Sequence, residues 1–227
     1  MATIQLVTMY DTIGDDAKNI PAGAAKAAGY VTGTPDILWP QSAWDRLPKS
    51  GKVRVDQSEA LDAYAAGAAD VGDLEQFAGT LARFAIAAAE RHDHGLLNCA
   101  YGSRSTLEQL APALDAVKGM DTGWWRGVTC WLADPSLSLA QASNLVGTEM
   151  FGGLAVVAVQ WATPQSNPDT SAGTGTLKSL NLDLSVARAD WFPAKPGPEL
   201  WQVQALNLAR SMQDDAGQLI KLLEGNL

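Results

Sequence analysis

The chain predicts an α/β protein built as a compact (β/α)8 TIM barrel, followed by a proline-rich spacer and a terminal helix. Three observations lead there. Eight short, strand-like apolar runs recur along the first two hundred or so residues, helical patterns separate several of them, and acidic residues gather where the runs end. Strands alternating with helices imply parallel pairing through crossover connections. Eight strands in about two hundred residues suit a barrel at the short end of the usual range. An open doubly wound sheet is the alternative, but the first turn, YDTIGDDAKN (10–19), lacks the glycine fingerprint of a dinucleotide site.

Taken in order, the strand-like runs are IQLVTMYD (4–11), AKAAGYVTG (25–33), KVRVDQS (52–58), the end of AAGAADVGDLE (65–75), LLNCAYGS (96–103), VTCWLADP (128–135), LAVVAVQWA (154–162) and LNLDLSVA (180–187). Several are almost continuously apolar, as strands buried on both faces are. QFAGTLARFAIAAAERHDH (76–94) predicts the clearest helix, with Phe77, Leu81, Phe84 and Ile86 on its apolar face. STLEQLAPALDAVKG (105–119) predicts another, opened by a capping box of Ser105 and Glu108 and closed on Gly119. Residues 1–192 form the barrel in this reading. A stiff spacer at 193–198 carries Pro193, Pro196, Gly197 and Pro198. An amphipathic helix over 199–227 then carries Trp201, Leu208, Met212, Leu219 and Leu223 along one stripe. That helix docks on its own barrel, or it pairs with another copy or a larger assembly.

A net charge of -9 and a pI near 4.6, with no Lys/Arg cluster, exclude a footprint for nucleic acid or anionic membranes. The opening MATIQLVTMY lacks the basic start and apolar run of a secretory signal, so a soluble protein is expected. Cys99 and Cys130 lie in apolar runs and are expected as buried free thiols. His92 and His94 sit at the end of a helical run, where cations suit the helix dipole, and no metal or cofactor site is expected. GTGTLKS (173–179) lacks the spacing of a phosphate loop and is expected to precede a strand without opening a helix.

Asp11, Asp56, Asp73, Glu75, Asp134 and Asp183 each end, or nearly end, an expected strand. In a barrel those ends converge on one face, where active sites are built. Asp73 and Glu75, two apart, share a face of a strand, whereas Asp70 points the other way and is set aside as packing or capping. Clustered carboxylates raise one another's pKa, so a less solvated member stays protonated near neutrality. A protonated acid beside an ionised carboxylate is what cleavage of a glycosidic bond requires. Tyr10, Tyr30, Trp39, Tyr101, Trp131 and Trp161 are candidates to stack on sugar rings.

These residues also carry a resemblance. MYDTI, ADVGDLE with its D-x-E, WLADPS, AVQWATP and NLDLSVARADWF occur in the order found in the family 25 glycoside hydrolases (lysozyme-type muramidases). The related glycoside-hydrolase-like domains of actinobacteria and their phages are similar too. The resemblance runs from about residue 4 to 192. It implies a barrel acting on peptidoglycan or another cell-envelope glycan, with Glu75 as proton donor and Asp73, Asp11 and Asp183 completing the catalytic cluster. Tyr10, Tyr101, Asp134, Gln160 and Trp161 would contact the substrate. The first-strand motif here, Tyr10-Asp11-Thr12, departs from the family's usual Asp-Val-Ser. Two functions follow as expectations: a phage-encoded glycosidase, either a lysin or tail-associated, and a non-catalytic virion or minor tail protein that binds glycan and assembles through residues 199–227, as a homo-oligomer or within a virion.

Overall fold

The computed structural model describes residues 4–191 except 78, 122 and 149. The spacer and helix expected at 193–227 lie outside the described residues. All eight expected strands are present: β1 (Leu6–Asp11), β2 (Lys26–Tyr30), β3 (Lys52–Asp56), β4 (Val71–Asp73), β5 (Cys99–Ser103), β6 (Thr129–Ala133), β7 (Leu154–Ala162) and β8 (Asp183–Arg188). Strands β1 to β7 pair with their neighbours in chain order, each pair parallel. β8 closes the sheet into a barrel and runs antiparallel to both β7 and β1.

Two features depart from the (β/α)8 expectation. The last strand is antiparallel, so the 163–182 connection is a return loop and needs no crossover helix. The helices are also short: α1 (Gln41–Asp45), α2 (Asp62–Ala65), α3 (Thr80–Asp93), α4 (Arg104–Glu108), α5 (Leu110–Asp115), α6 (Leu139–Leu145) and α7 (Leu177–Leu180). Only a 3-10 turn, Gly14–Asn19, separates β1 from β2.

Local chemistry sets these limits. Pro112 supplies no N–H to the carbonyl four residues earlier, and the expected 105–119 helix divides at Gln109 into α4 and α5. Its cap is Ser103, which accepts from the Thr106 amide, in place of the expected Ser105 box. In α3 the buried face is Phe84 with Ala85, Ala87 and Ala88, whose small side chains let the helix lie close on the sheet. Phe77 precedes the helix and Ile86 faces outward, so both expected core positions are exposed. GTGTLKS does open a helix, the four-residue α7, through a reciprocal cap between Thr176 and Ser179. This corrects the expectation for that run.

Strand parity sorts the core. Met9, Ala28, Val55, Val71, Cys99 and Trp131 fill the barrel interior. The outward side chains pack under the helices in two further clusters. At the floor, opposite the strands' C-terminal ends, buried Lys26 donates to the Trp191 carbonyl at 2.6 Å. Asp70 also lies at the N-terminal end of its strand, held by the Arg54 amide and guanidinium. Its reading as a structural carboxylate agrees with this pairing. Cys99 and Cys130 are buried free thiols, as expected.

Candidate functional site

The C-terminal ends of β1 and β4 deliver Asp11 and Asp73 to one mouth of the barrel. Because β8 is reversed, its first residue, Asp183, arrives at the same mouth. Asp11 and Asp183 are direct register partners across β1 and β8. Opposed residues in an antiparallel pair place their Cβ atoms roughly 5 Å apart, and two ionised carboxylates there repel. Crowding of this kind favours the protonated form. Burial first, then the charges of Asp183 and Asp73, raise the Asp11 carboxyl well above its ordinary value. Burial pushes Asp183 up to about 7, against a lowering hydrogen bond from Gln160.

One atom at this mouth lacks a partner. Asp11 is 4% exposed, and its buried Oδ1 has no hydrogen-bond partner among the described residues, although a Thr12 backbone bond acts on the carboxyl and lowers its pKa. Such groups are rare in folded proteins and mark strain, a catalytic role, or the place of a water, ion or ligand. Its neighbour is better held: Tyr101 donates to Gln160 Oε1 at 2.7 Å, and Gln160 Nε2 donates to Asp183 Oδ2 at 2.8 Å. Both ends of the Gln160 amide are thus engaged by the protein, and its role is to position Asp183.

Asp73 accepts from Gln57 Nε2 at 3.0 Å and from the Glu75 amide at 2.9 Å. Burial lifts it to about 6 against those two bonds. The strand ends at Asp73, so Glu75 occupies the bend beyond it, not the strand itself. Strand parity alone therefore does not place Glu75; the Asp73 side chain does, by gripping its backbone. The Glu75 side chain is solvent-accessible, yet partial burial in the mouth raises its pKa, opposed by a bond from the Ser103 backbone. Tyr30 joins this group from β2. Its phenol is raised first by burial and then by Asp11, Asp73, Asp183 and Glu75.

Other candidates lie elsewhere. Tyr10 and Trp161 have the opposite parity to Asp11 and Gln160 and pack in the outer layer. Trp39 is buried against Trp44, and Trp131 is buried in the barrel with Nε1 on Ser185, so neither offers a face to a sugar. Asp56 has outward parity and is consumed by the Thr32 and Ser58 hydroxyls and the Ser58 and Tyr64 amides. It shapes the β3 turn. Asp134 caps its own turn through Ser136 and pairs loosely with Arg104 at 3.5 Å. It lines a groove of about 420 Å³ with Ser103, Arg104, Ser105 and Glu108, beside Glu75 on the β5–β6 rim.

Gln57 was not among the residues singled out from the sequence. Val53 and Val55 point inward, so Gln57 two positions on shares their parity, and that period was a usable signal. Among the described residues, no three His, Cys, Asp or Glu side chains are disposed to hold a metal ion, and no helix is long and apolar enough to cross a membrane. No family model, curated protein or solved structure matches the chain.

Proposed function

We propose that the chain is a glycoside hydrolase acting on peptidoglycan or a related cell-envelope glycan, its barrel a trimmed variant of the (β/α)8 design. The carrying observation is the convergence of Asp11, Asp73, Glu75 and Asp183 on one mouth, with raised carboxyl pKa values and the Asp11 oxygen unpartnered. Glu75 is the proton donor: it reaches solvent and substrate, and partial burial keeps a protonated fraction at mildly acidic pH. Asp73 fixes the turn that carries Glu75. The Asp11–Asp183 pair supplies negative charge for an oxocarbenium-like transition state once a proton has left it for solvent. The resemblance to family 25 muramidases and the phage-associated barrels related to them favours a lysin or tail-associated enzyme. Glu75→Gln is expected to lower release of reducing ends from purified cell walls about a hundredfold or more, with the fold unchanged by circular dichroism. Equal release by wild type and variant removes Glu75 from the chemistry.

One observation favours a second reading, a virion module assembled through residues 199–227. Lys26 fastens Trp191 at the barrel floor, so the chain leaves the described region on the side away from the carboxylates.

A further inference from the structure

The charged groups that act on Asp11 share a sign: Asp183 from β8 and Asp73 from β4, opposed by a hydrogen bond from the Thr12 backbone. Glu75, from the turn beyond β4, joins them around the phenols of Tyr30 and Tyr101. Of the mouth amides, Gln160 is spent on Tyr101 and Asp183, and Gln57 on Asp73. The salt bridges among the described residues engage Asp70, Glu59, Asp134 and Asp190, and none reaches a mouth carboxylate. The adjoining groove adds Glu108 and Asp134 against the single cation Arg104. A buried acceptor without a donor, inside a ring of acids, calls for a donor that also carries positive charge. An anionic ligand meets repulsion at every side of this mouth.

We propose that the mouth selects a glycan bearing a free amino group, and that the sugar's ammonium donates to Asp11 Oδ1. The inference rests on the glycan reading above and names the substrate class within it. Binding then exchanges one positive charge for another. The ammonium takes the place of a proton held on the Asp11 carboxyl, and that proton leaves to solvent, so total charge in the mouth is conserved. An N-acetylated sugar offers only a neutral amide N–H and displaces no proton.

Isothermal titration of the full chain near pH 6, in two buffers of different ionisation enthalpy, tests this with a glucosamine tetramer and its N-acetylated counterpart. The expected result is roughly tenfold or more tighter binding of the free amine, the scale of one charge-assisted hydrogen bond. Net proton release should accompany the amine only, and Asp11→Asn should abolish the preference. Equal or tighter binding of the N-acetylated tetramer, or amine binding without proton release, overturns the inference and leaves the glycan reading standing. Binding of neither tetramer overturns both. Putrescine binding as tightly as the amino sugar overturns the sugar's part in recognition. The wild-type comparison stands even if Asp11→Asn does not fold.

Discussion

Asp183, Asp73 and Asp11 invert the usual effect of pH on a folded protein. An ordinary carboxylate gains a partner on folding, and its loss by protonation destabilises the fold in acid. Here the folded values lie above the reference of 3.8, at about 7 for Asp183 and about 6 for Asp73. Between those limits the folded state retains protons that the unfolded chain has released, so stability falls as pH rises. The full contribution is present below the unfolded value and is lost on passing the folded one. Urea midpoints are expected to drop between about pH 4 and pH 7.5, by on the order of a few kcal/mol in unfolding free energy. Asp183→Asn should flatten the slope; an unchanged slope would mean that Asp183 does not hold a proton through this range. At this scale the sequence was readable wherever parity was carried through. Asp11, Asp73 and Asp183 have inward parity and meet. Asp56 follows inward-pointing Val55 by one position, so the same rule sends it outward, to the Tyr64 amide. Tyr10 and Trp161 likewise fall outside by parity. What no strand period foretells is that an Asp73 side chain would fix Glu75 from beyond the strand's end.

At the scale of elements, strands were more legible than helices. A buried strand needs only a short apolar run, and each of the eight runs supplied one. Helix limits depend on single groups, such as the missing N–H of Pro112 or the hydroxyl of Ser103, and these shifted or divided the expected spans. The seam between α3 and the sheet shows another device hidden from hydropathy. Buried Arg91 donates to the carbonyls of Tyr64, Ala69 and Leu97 and to Asn98 Oδ1, with its guanidinium 4.2 Å over the Tyr64 ring. Tyr64 in turn donates to Asn98, and Asn98 to Ala88 on the helix. One planar fork thus joins α2, α3 and the approach to β5. Arg91→Met keeps the volume but orphans several buried carbonyls, and about 3 kcal/mol of stability should be lost. Arg91→Lys should recover little, because an ammonium cannot copy the fork. Thermal unfolding decides this, and near-wild-type behaviour of either variant would show that water replaces the guanidinium.

For the whole molecule, the chain's direction at its last described strand separates two roles. The carboxylate mouth lies at one end of the barrel, and Trp191, the last described residue, is held at the other. Removing 199–227 is therefore expected to leave wall hydrolysis and barrel stability near wild type while abolishing self-association, as read by light scattering. Loss of hydrolysis with retained folding would place the tail in the active site instead.

The antiparallel eighth strand has a consequence in time as well as in space. It is the last strand of the barrel to leave the ribosome, it pairs Arg188 with Leu6 across nearly the whole described chain, and it carries Asp183. Until it docks, β1 and β7 are open edges, and Asp11 stands alone in water with an ordinary reason to ionise. Closing the barrel and bringing Asp183 against Asp11 are one event. A nascent or clipped chain that lacks β8 thus lacks Asp183, and the carboxylate cluster is complete only once the barrel has closed.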